Sequence, residues 1–481
     1  MLLVKSETEL AEFSLDAGII KIRPSGALVA ESDEDVVLAL RESELKGLPV
    51  TPRGAGTSIP SQAVGKGIIL LQKRNEVVTR AGSVSCGPTI IKSVLNEVLD
   101  RDGAWVPPDP SSYQSCTLGG MVANNSSGAR TFKYGSTVDY VTQLRVVLPE
   151  AGDKIIRALP IEQALHSDPV TSRVAKLIVE NQKTIERERP MVTKNSCGYR
   201  LEKVVHDGLI DFPKLFSGSE GTLGVITNIT LLTKSKPRFK VLLVVEVSLE
   251  DLDRVVSIFR GLSPAAIELV DKSIFKQAGR EEKIRGISRT DDEYLVFCEL
   301  DAGSREALEK ALEKAVQSEI SSYEPLTIDD PGRISEAWGV RNETLTIATE
   351  LRRGSRILVP GVEDLVVPPD RLGDLVSFLI VQFESRGLEY ISYGHAGDAN
   401  LHMRPFLDPK SKPDMVVLED VMEECFEATW KMGGSITGEH GDGMLRAKYV
   451  ERQYPRTYEI MKQIRDVYDP RRVLNPEVKV V

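Results

Sequence analysis

The chain has 481 residues, with 61 Lys and Arg against 71 Asp and Glu, and 41% of it is hydrophobic. The net charge of −10 argues against nucleic acid as the main partner, because phosphate neutralisation needs a basic surface. The length points to two or three domains. The five cysteines are scattered without a CxxC, which argues against a disulfide framework, a structural zinc site or an iron–sulfur cluster in this chain.

The opening "MLLVKSETELAEF" meets acidic residues within a few positions and does not read as a signal peptide. Residues 26–60 read as strand, helix, strand. Ser32 with Asp35 resembles a capping box, and Gly47 closes the helix. "LPVTPRGAG" is a strand entering a glycine-rich turn. Residues 66–148 add the strand "GIILL", a helix near 88–100, a long loop over 107–136 and the strand "QLRVVLP". Helices are expected within 161–188. "GTLGVITNITLLTKSKP" is β-branched and ends in a Lys/Pro break, where a domain boundary is placed.

Beyond that break, "RFKVLLVVEV", "LEDLDRVVSIFRGL" and "AAIELV" form one β-α-β unit. "EYLVFCEL", "SREALEKALEKAV" and "SYEPLTI" form another, which suggests a ferredoxin-like arrangement. The apolar run "VLLVVEV" is too short to span a bilayer. With few isolated cysteines, this suits a cytoplasmic location, any membrane contact coming through a partner. The tail "YDPRRVLNPEVKVV" is turn-rich and is expected to pack back on the first domain.

Three stretches are rich in glycine. "PRGAGTS" is neither GxGxxG nor a Walker A loop, so Rossmann and P-loop readings fail, although its backbone N–H groups can approach an anion. An ordinary tight turn is the alternative. "PPDPSSYQSCTLGGMVANNSSGARTFKYG" is long enough to wrap a large polar ligand, and "SGSEGTLGVIT" is the third stretch.

In this order the three stretches resemble the FAD-binding domain of the vanillyl-alcohol oxidase / p-cresol methylhydroxylase type. "KNSCGYRL", "GSEGTLGVIT", "GHAGDANLH", "GEHGDG" and "DPRRVLNP" extend the resemblance over nearly the whole chain, to the FAD-linked D-2-hydroxyacid dehydrogenases. These include D-lactate dehydrogenase, D-2-hydroxyglutarate dehydrogenase and the glycolate oxidase flavin subunit. The implied fold is α+β, with an FAD-binding domain (1–236), a ferredoxin-like substrate or cap domain (237–442) and a C-terminal segment (443–481) returning to the first. The resemblance implies that Pro52, Arg53, Gly54, Ala55, Gly56, Thr57 and Ser58 cradle the FAD pyrophosphate. It implies that Thr117, Gly119, Gly120, Asn124, Ser126, Gly128 and Ala129 line the flavin and its ribityl chain, and that Glu220, Gly221 and Ile226 lie near the adenine. Pro108, Asp109, Leu118, Ala123, Tyr134 and Asn475 complete the implied FAD site. The pyrophosphate loop holds no histidine, so FAD is expected to be non-covalent, with Cys86 and Cys116 the thiols to watch.

Two of the five histidines lie seven residues apart in "GHAGDANLHMRPF", and a third follows Glu439 in "GEHGDG". If Asp398 and Ala399 form a two-residue turn, His395 and His402 face each other on one side of a hairpin. Directly paired Cβ atoms lie roughly 4.5–5.5 Å apart, within reach of one ion. With Glu439 as third ligand, the set suits zinc, manganese or ferrous iron. A metal-free site in which these histidines bind substrate is the alternative. His440 cannot easily ligate beside its neighbour and is better placed as a base. The resemblance implies the same roles, and gives Arg341 the substrate carboxylate. Asp398 and Asn400 would be supporting residues. Arg352, Arg353 and Arg356 are candidates for a second carboxylate.

The expected activity is oxidation of a D-2-hydroxy acid, D-lactate first and D-2-hydroxyglutarate or glycolate as alternatives. Electrons would leave to an external acceptor: a separate iron–sulfur subunit or an electron-transferring flavoprotein. A homodimer is also expected. A flavin-free metallohydrolase, a non-catalytic electron relay and an alkyl-glycerone-phosphate synthase are the rival readings.

Overall fold

A computed structural model describes residues 2–4 and 6–481. Its first part builds two larger sheets and a two-stranded pairing of Ala104–Trp105 with Lys234–Ser235. Strands Leu2–Val4, Gly26–Ala30, Ile68–Gln72 and Val50–Pro52 form one, in that order. Ser32 starts the helix Asp33–Leu45 by accepting the Asp35 N–H at 3.1 Å. Asp35 returns its carboxylate to the Glu31 N–H at 2.9 Å, one residue earlier than a capping box requires. The second sheet is antiparallel and runs Val205–His206, Leu209–Asp211, Gly152–Pro160, Val141–Leu148, Val225–Leu232, Ser83–Cys86, Val77–Arg80. The long loop carries only short helices, Leu118–Asn124 and Thr131–Tyr134. The 161–188 stretch is helical over Ile161–Leu165, Pro169–Glu180 and Gln182–Glu188.

After Ser235 a different sheet begins. Strands Phe239–Val247, Ala266–Asp271, Tyr294–Ala302 and Leu326–Ile328 stand in the spatial order 4-1-3-2, all neighbours antiparallel. Helices Leu252–Gly261 and Arg305–Gln317 make the crossovers. The strands alternate little, because Phe239–Val247 and Tyr294–Ala302 are buried on both faces. Ala266–Asp271 then accepts a fifth strand, Tyr390–His395, which forms a hairpin with Asn400–Leu407. The histidine motif thus lies within one continuous sheet, which goes on through Arg356–Leu358 to Arg352–Arg353.

The hairpin register differs from the expected one. His395 pairs with Asn400 and His402 with Tyr393, because residues Ala396–Asp398 form a single 3₁₀ turn closed by Ala399 at φ +50°. Four residues turn the chain instead of two. The slip is even, so His395 and His402 still share one face.

The tail rejoins the first domain. Val50 N–H donates to Val473 O at 2.8 Å, and Asn475 N–H donates to Val50 O at 2.9 Å. Tyr468 packs edge-on against Phe216 with ring centroids 5.1 Å apart. Lys479, fully buried, donates to Ser196 O, Glu220 Oε1 and Asp442 Oδ2 at 2.9, 2.9 and 2.7 Å.

Candidate active site

The glycine-rich stretches meet around one cavity of about 500 Å³, which is also lined by Arg341, Tyr393, His402, Arg404, Glu439 and His440. The loops approach closely because they lack side chains. A Cβ on Gly54 would lie 2.5 Å from Thr117 Oγ1, and one on Gly119 2.7 Å from the Pro88 side chain. Asn124 and Gln62 tie the loops to the histidine motif. Gln62 Nε2 donates to Asn124 Oδ1 at 2.6 Å and to His440 O at 2.9 Å, and Asn124 Nδ2 donates to Glu439 O at 3.1 Å. Gly441 sits at φ +82°, and a Cβ there would meet Glu220, Asn124 and Gln62 within 2.9 Å.

Beside this cavity, three imidazoles converge on one oxygen. The Nε2 atoms of His395, His402 and His440 lie 3.0, 3.3 and 3.5 Å from Glu439 Oε1. Glu439 Oε2 points away, accepting from Ser127 Oγ at 2.7 Å and Lys194 Nζ at 3.3 Å. His395 and His402 stand edge-to-face, 5.2 Å between centroids, and His440 stacks on His402 at 4.9 Å. His395 Nδ1 is hydrogen-bonded to Glu268 Oε1 at 2.7 Å, which fixes Nε2 as the atom aimed inward. His440 Nδ1 is likewise hydrogen-bonded to Glu363 Oε2 at 2.6 Å.

Asp364, His402, Glu439 and His440 place ligand atoms within 4.8 Å of one another. The Asp364 carboxylate, however, already accepts from Asn400 Nδ2 at 3.1 Å and from the His440 N–H at 2.7 Å. It also takes the Thr437 hydroxyl and the Glu439 N–H. It is a scaffold. The expected set, His395, His402 and Glu439, offers two inward Nε2 atoms and a carboxylate oxygen, donors of the type a divalent cation takes, although His395 lies outside the group of four.

The charges follow from this crowding. Burial alone would raise the Glu439 pKa, but Lys194 and His395 outweigh it and hold the carboxyl well below its ordinary range. Burial would lower that of His440, but Glu363 and Asp364 outweigh it and hold the imidazole well above its ordinary value. His395 is opposed by burial too, and Glu268 raises it to about 9.

Comparisons with known proteins match this architecture. Residues 236–478 fit the family described as FAD linked oxidases, C-terminal domain, and residues 24–156 fit an FAD binding domain. The chain belongs to the FAD-linked oxidases. It is 29% identical over 476 residues to a D-lactate dehydrogenase of Anaerostipes hadrus, covering 95% of this chain and 89% of that protein. It is 27% identical over 511 residues to a D-2-hydroxyglutarate dehydrogenase of Pantoea ananatis, covering 98% of this chain and 49% of that protein. The chain therefore spans about half the length of that relative. A glycolate oxidase subunit GlcD of Bacillus subtilis is 27% identical, over 94% of this chain and 88% of that protein. In fold, the chain resembles a solved alkyldihydroxyacetonephosphate synthase with a TM-score of 0.66 at 15% identity, covering 98% of this chain and 83% of that one. The protein is an FAD-dependent oxidoreductase.

In this FAD-linked oxidase, Pro52, Arg53, Gly54, Ala55, Gly56, Thr57 and Ser58 all line the cavity. So do Thr117, Gly119, Gly120, Ala123, Asn124, Ser126, Glu220, Gly221 and Ile226. Several expected contacts do not. Asp109 is turned to Arg130 at 2.6 Å, and Gly128 packs beneath Asp109 O, carrying Ala129 and Pro108 off the lining. Leu118 is wholly in the core. The Tyr134 hydroxyl donates to Asp301 Oδ2 at 2.6 Å. Asn475 Nδ2 instead donates to Gln62 O and Glu220 O, both at 2.9 Å. Glu220 lines the cavity, but its carboxylate is taken up by the Asp442 and Gly443 N–H groups, each at 2.8 Å, and by Lys479. Cys116 reaches the lining, whereas Cys86 is buried elsewhere.

Arg341 is among the expected residues that line the cavity. It faces the cavity from helix Pro331–Glu350, yet Glu268 Oε2 holds its Nε at 2.8 Å and Nη2 at 2.7 Å, and its guanidinium lies over the Tyr393 ring. Arg352, Arg353 and Arg356 line no part of the cavity, and Arg356 is paired with Asp414 at 3.4 Å. Glu268, Glu363 and Lys194 were not singled out by sequence reading. The available signal was an acid inside the apolar strand "AAIELV" and two acids between apolar runs in "VPGVEDLVVPP".

Proposed function

We propose that the protein oxidises a D-2-hydroxy acid, D-lactate first, to the 2-oxo acid, with non-covalently bound FAD as the immediate acceptor. The observation that carries this reading is the convergence of His395, His402 and His440 on Glu439 Oε1, with His402, His440 and Glu439 on the wall of the glycine-lined cavity. FAD, when bound, accepts two electrons with the substrate's α-hydrogen, and a divalent metal held by His395, His402 and Glu439 supplies Lewis acidity toward the hydroxyl. His440 is placed to take the hydroxyl proton at Nε2, its Nδ1 being engaged by Glu363, and it does so in its neutral form, which the raised pKa shifts toward alkaline pH. Glu268 orients His395, and Ser127 with Lys194 turns Glu439 so that one oxygen faces the site. Burial pushes the Cys116 thiol up, which disfavours the thiolate needed for a flavin link.

Residues 237–442 are read as the substrate domain, and the 4-1-3-2 strand order supports a ferredoxin-like description. An external acceptor, an iron–sulfur subunit or an electron-transferring flavoprotein, is proposed to take the electrons onward, in keeping with five scattered cysteines and no CxxC. Among the described residues no helix is long and apolar enough to cross a membrane; a cytoplasmic location is proposed. The test is an anaerobic visible spectrum during addition of D-lactate. Bleaching of the flavin band supports the reading. A yellow protein bleached by neither D-lactate, glycolate nor D-2-hydroxyglutarate would overturn it.

A further inference from the structure

Two walls of the cavity come from distant parts of the chain. The long loop contributes Pro110, Ser111, Ser126 and Ser127, and helix Pro331–Glu350 contributes Arg341, Leu345 and Thr349. These helix positions recur at every fourth residue, and Trp338 stands three residues before the first, so all four lie on one stripe.

Glu299 joins the two walls. It lies in the buried strand Tyr294–Ala302 and is 1% exposed, a place where a carboxylate is costly unless it is paired. Arg130 of the loop grips it with two parallel bonds, Nε to Oε1 and Nη2 to Oε2, both at 2.8 Å. The Trp338 indole N–H donates to the same Oε2 at 2.8 Å, and the Arg130 guanidinium lies over the Trp338 ring, 4.9 Å from its centroid. Arg130 also reaches back into its own loop. Its Nη1 donates to Asp109 Oδ2 at 2.6 Å and its backbone N–H to Asp109 Oδ1 at 3.2 Å. Lys240 Nζ donates to Glu299 Oε1 at 3.1 Å, so two cations face the two carboxylates. By contrast, the ion pairs of Arg341 with Glu268 and of Glu350 with Arg280 stay inside the second part of the chain.

We infer that Arg130 and Trp338, joined through Glu299, are positioning residues that set the helix wall at a fixed distance and rotation from the flavin-binding loop, and so shape the space in which the substrate is held. This rests on the reading of the cavity as the place where FAD meets a 2-hydroxy acid. Trp338 is less than one turn from Arg341, so a tether there fixes the rotation of the whole stripe. The three imidazoles and Glu439 stand on other segments, so the joint acts on substrate binding rather than on proton transfer.

The test is anaerobic flavin reduction of the wild type, W338F, R130K and the double variant, titrated with whichever of D-lactate, glycolate and D-2-hydroxyglutarate reduces the wild type. W338F keeps a ring over Arg130 and removes the N–H; R130K keeps the charge and removes the fork. Each single variant is expected to raise the half-saturating acid concentration about tenfold, the scale of one lost hydrogen bond to a charged group, with a limiting rate within about threefold of wild type. The urea midpoint and FAD content of W338F should match wild type, which separates positioning from stability. Because both side chains act through one carboxylate, the double variant should resemble the single ones rather than lose about 100-fold. Additive losses, a W338F half-saturation within about twofold of wild type, or a shift accompanied by lost stability and FAD would overturn the joint. If R130K does not hold flavin, the W338F titration decides alone. A wild type reduced by none of the three acids would instead overturn the dehydrogenase reading, and the inference with it.

Discussion

Glu363 Oε2 lies 2.6 Å from His440 Nδ1, and the same carboxylate is gripped by the fully buried Arg446 at 2.8 Å through Oε1. Glu363 therefore cannot rotate away, and it fixes the His440 tautomer with Nε2 toward the site. It also holds His440 well above its ordinary pKa, against burial. Glu363→Gln removes that charge. Flavin reduction is expected to slow about 100-fold, within the range of general-base effects, and its half-maximal pH to move downward. A pH–rate profile of flavin reduction checks both; an unmoved profile would separate Glu363 from the base.

His440→Asn keeps a polar side chain but removes the proton acceptor. Because the side chain touches none of the glycine-rich loops through a hydrogen bond, FAD content should stay unchanged. Flavin reduction should fall about 10²–10⁴-fold. Stopped-flow reduction beside the visible spectrum separates the two effects, and a near-wild-type rate would remove His440 from the chemistry.

Glu268 links the cluster to helix Pro331–Glu350, binding His395 Nδ1 through Oε1 and Arg341 through Oε2. Such a carboxylate fixes the ligand's tautomer and raises its basicity. Glu268→Gln is expected to weaken divalent-metal affinity about 10–100-fold while leaving the FAD ratio unchanged. Metal analysis after graded chelation measures this. Equal retention in wild type and variant would argue for a metal-free cluster.

The hairpin was legible because "YISYGHAGDANLHMRPF" alternates around a turn, and alternation survives an even slip. The turn length was not legible. Asp398 and Ala399 suggested a two-residue reversal, whereas Ala399 is the left-handed residue that closes a four-residue one. The glycine loops were legible as cavity lining because close backbone approach needs glycine, at Gly54 and Gly119 for example. The pairing of Arg341 was not, since its partner Glu268 is 73 positions away and nothing local announces it. Likewise Asp364 is a scaffold only because the backbone of Glu439 and His440 folds onto it. Those pairings are tertiary, beyond the reach of local pattern.

Lys479 joins the tail to Glu220 and Asp442 in full burial. Lys479→Met leaves two carboxylates facing each other without their cation. The expected loss of stability is about 3–5 kcal/mol, the cost of breaking a buried ion pair by removing one partner. Because Glu220 also receives the N–H groups of Asp442 and Gly443, the loss should loosen the "GEHGDG" turn and reduce FAD occupancy. Denaturant unfolding and the flavin-to-protein absorbance ratio test this; unchanged values would make the clamp redundant.

Lys92 is buried at the start of helix Lys92–Asp100, its Nζ donating to Val106 O at 2.5 Å. Burial brings its pKa from 10.5 down to about 7. Between those values the unfolded chain binds the proton that the folded chain does not. Stability therefore rises with pH across the window, and the full penalty is present below about 7. Lys92→Met removes the titration but leaves the Val106 carbonyl without this donor, a loss of about 1 kcal/mol at every pH. The variant should thus be more stable than wild type at acidic pH, and the order should reverse as the solution approaches pH 10.5. Urea midpoints of both proteins across this range decide the matter. Parallel curves would mean that Lys92 is charged in the fold, its penalty already met by Asp109 and the Val106 carbonyl.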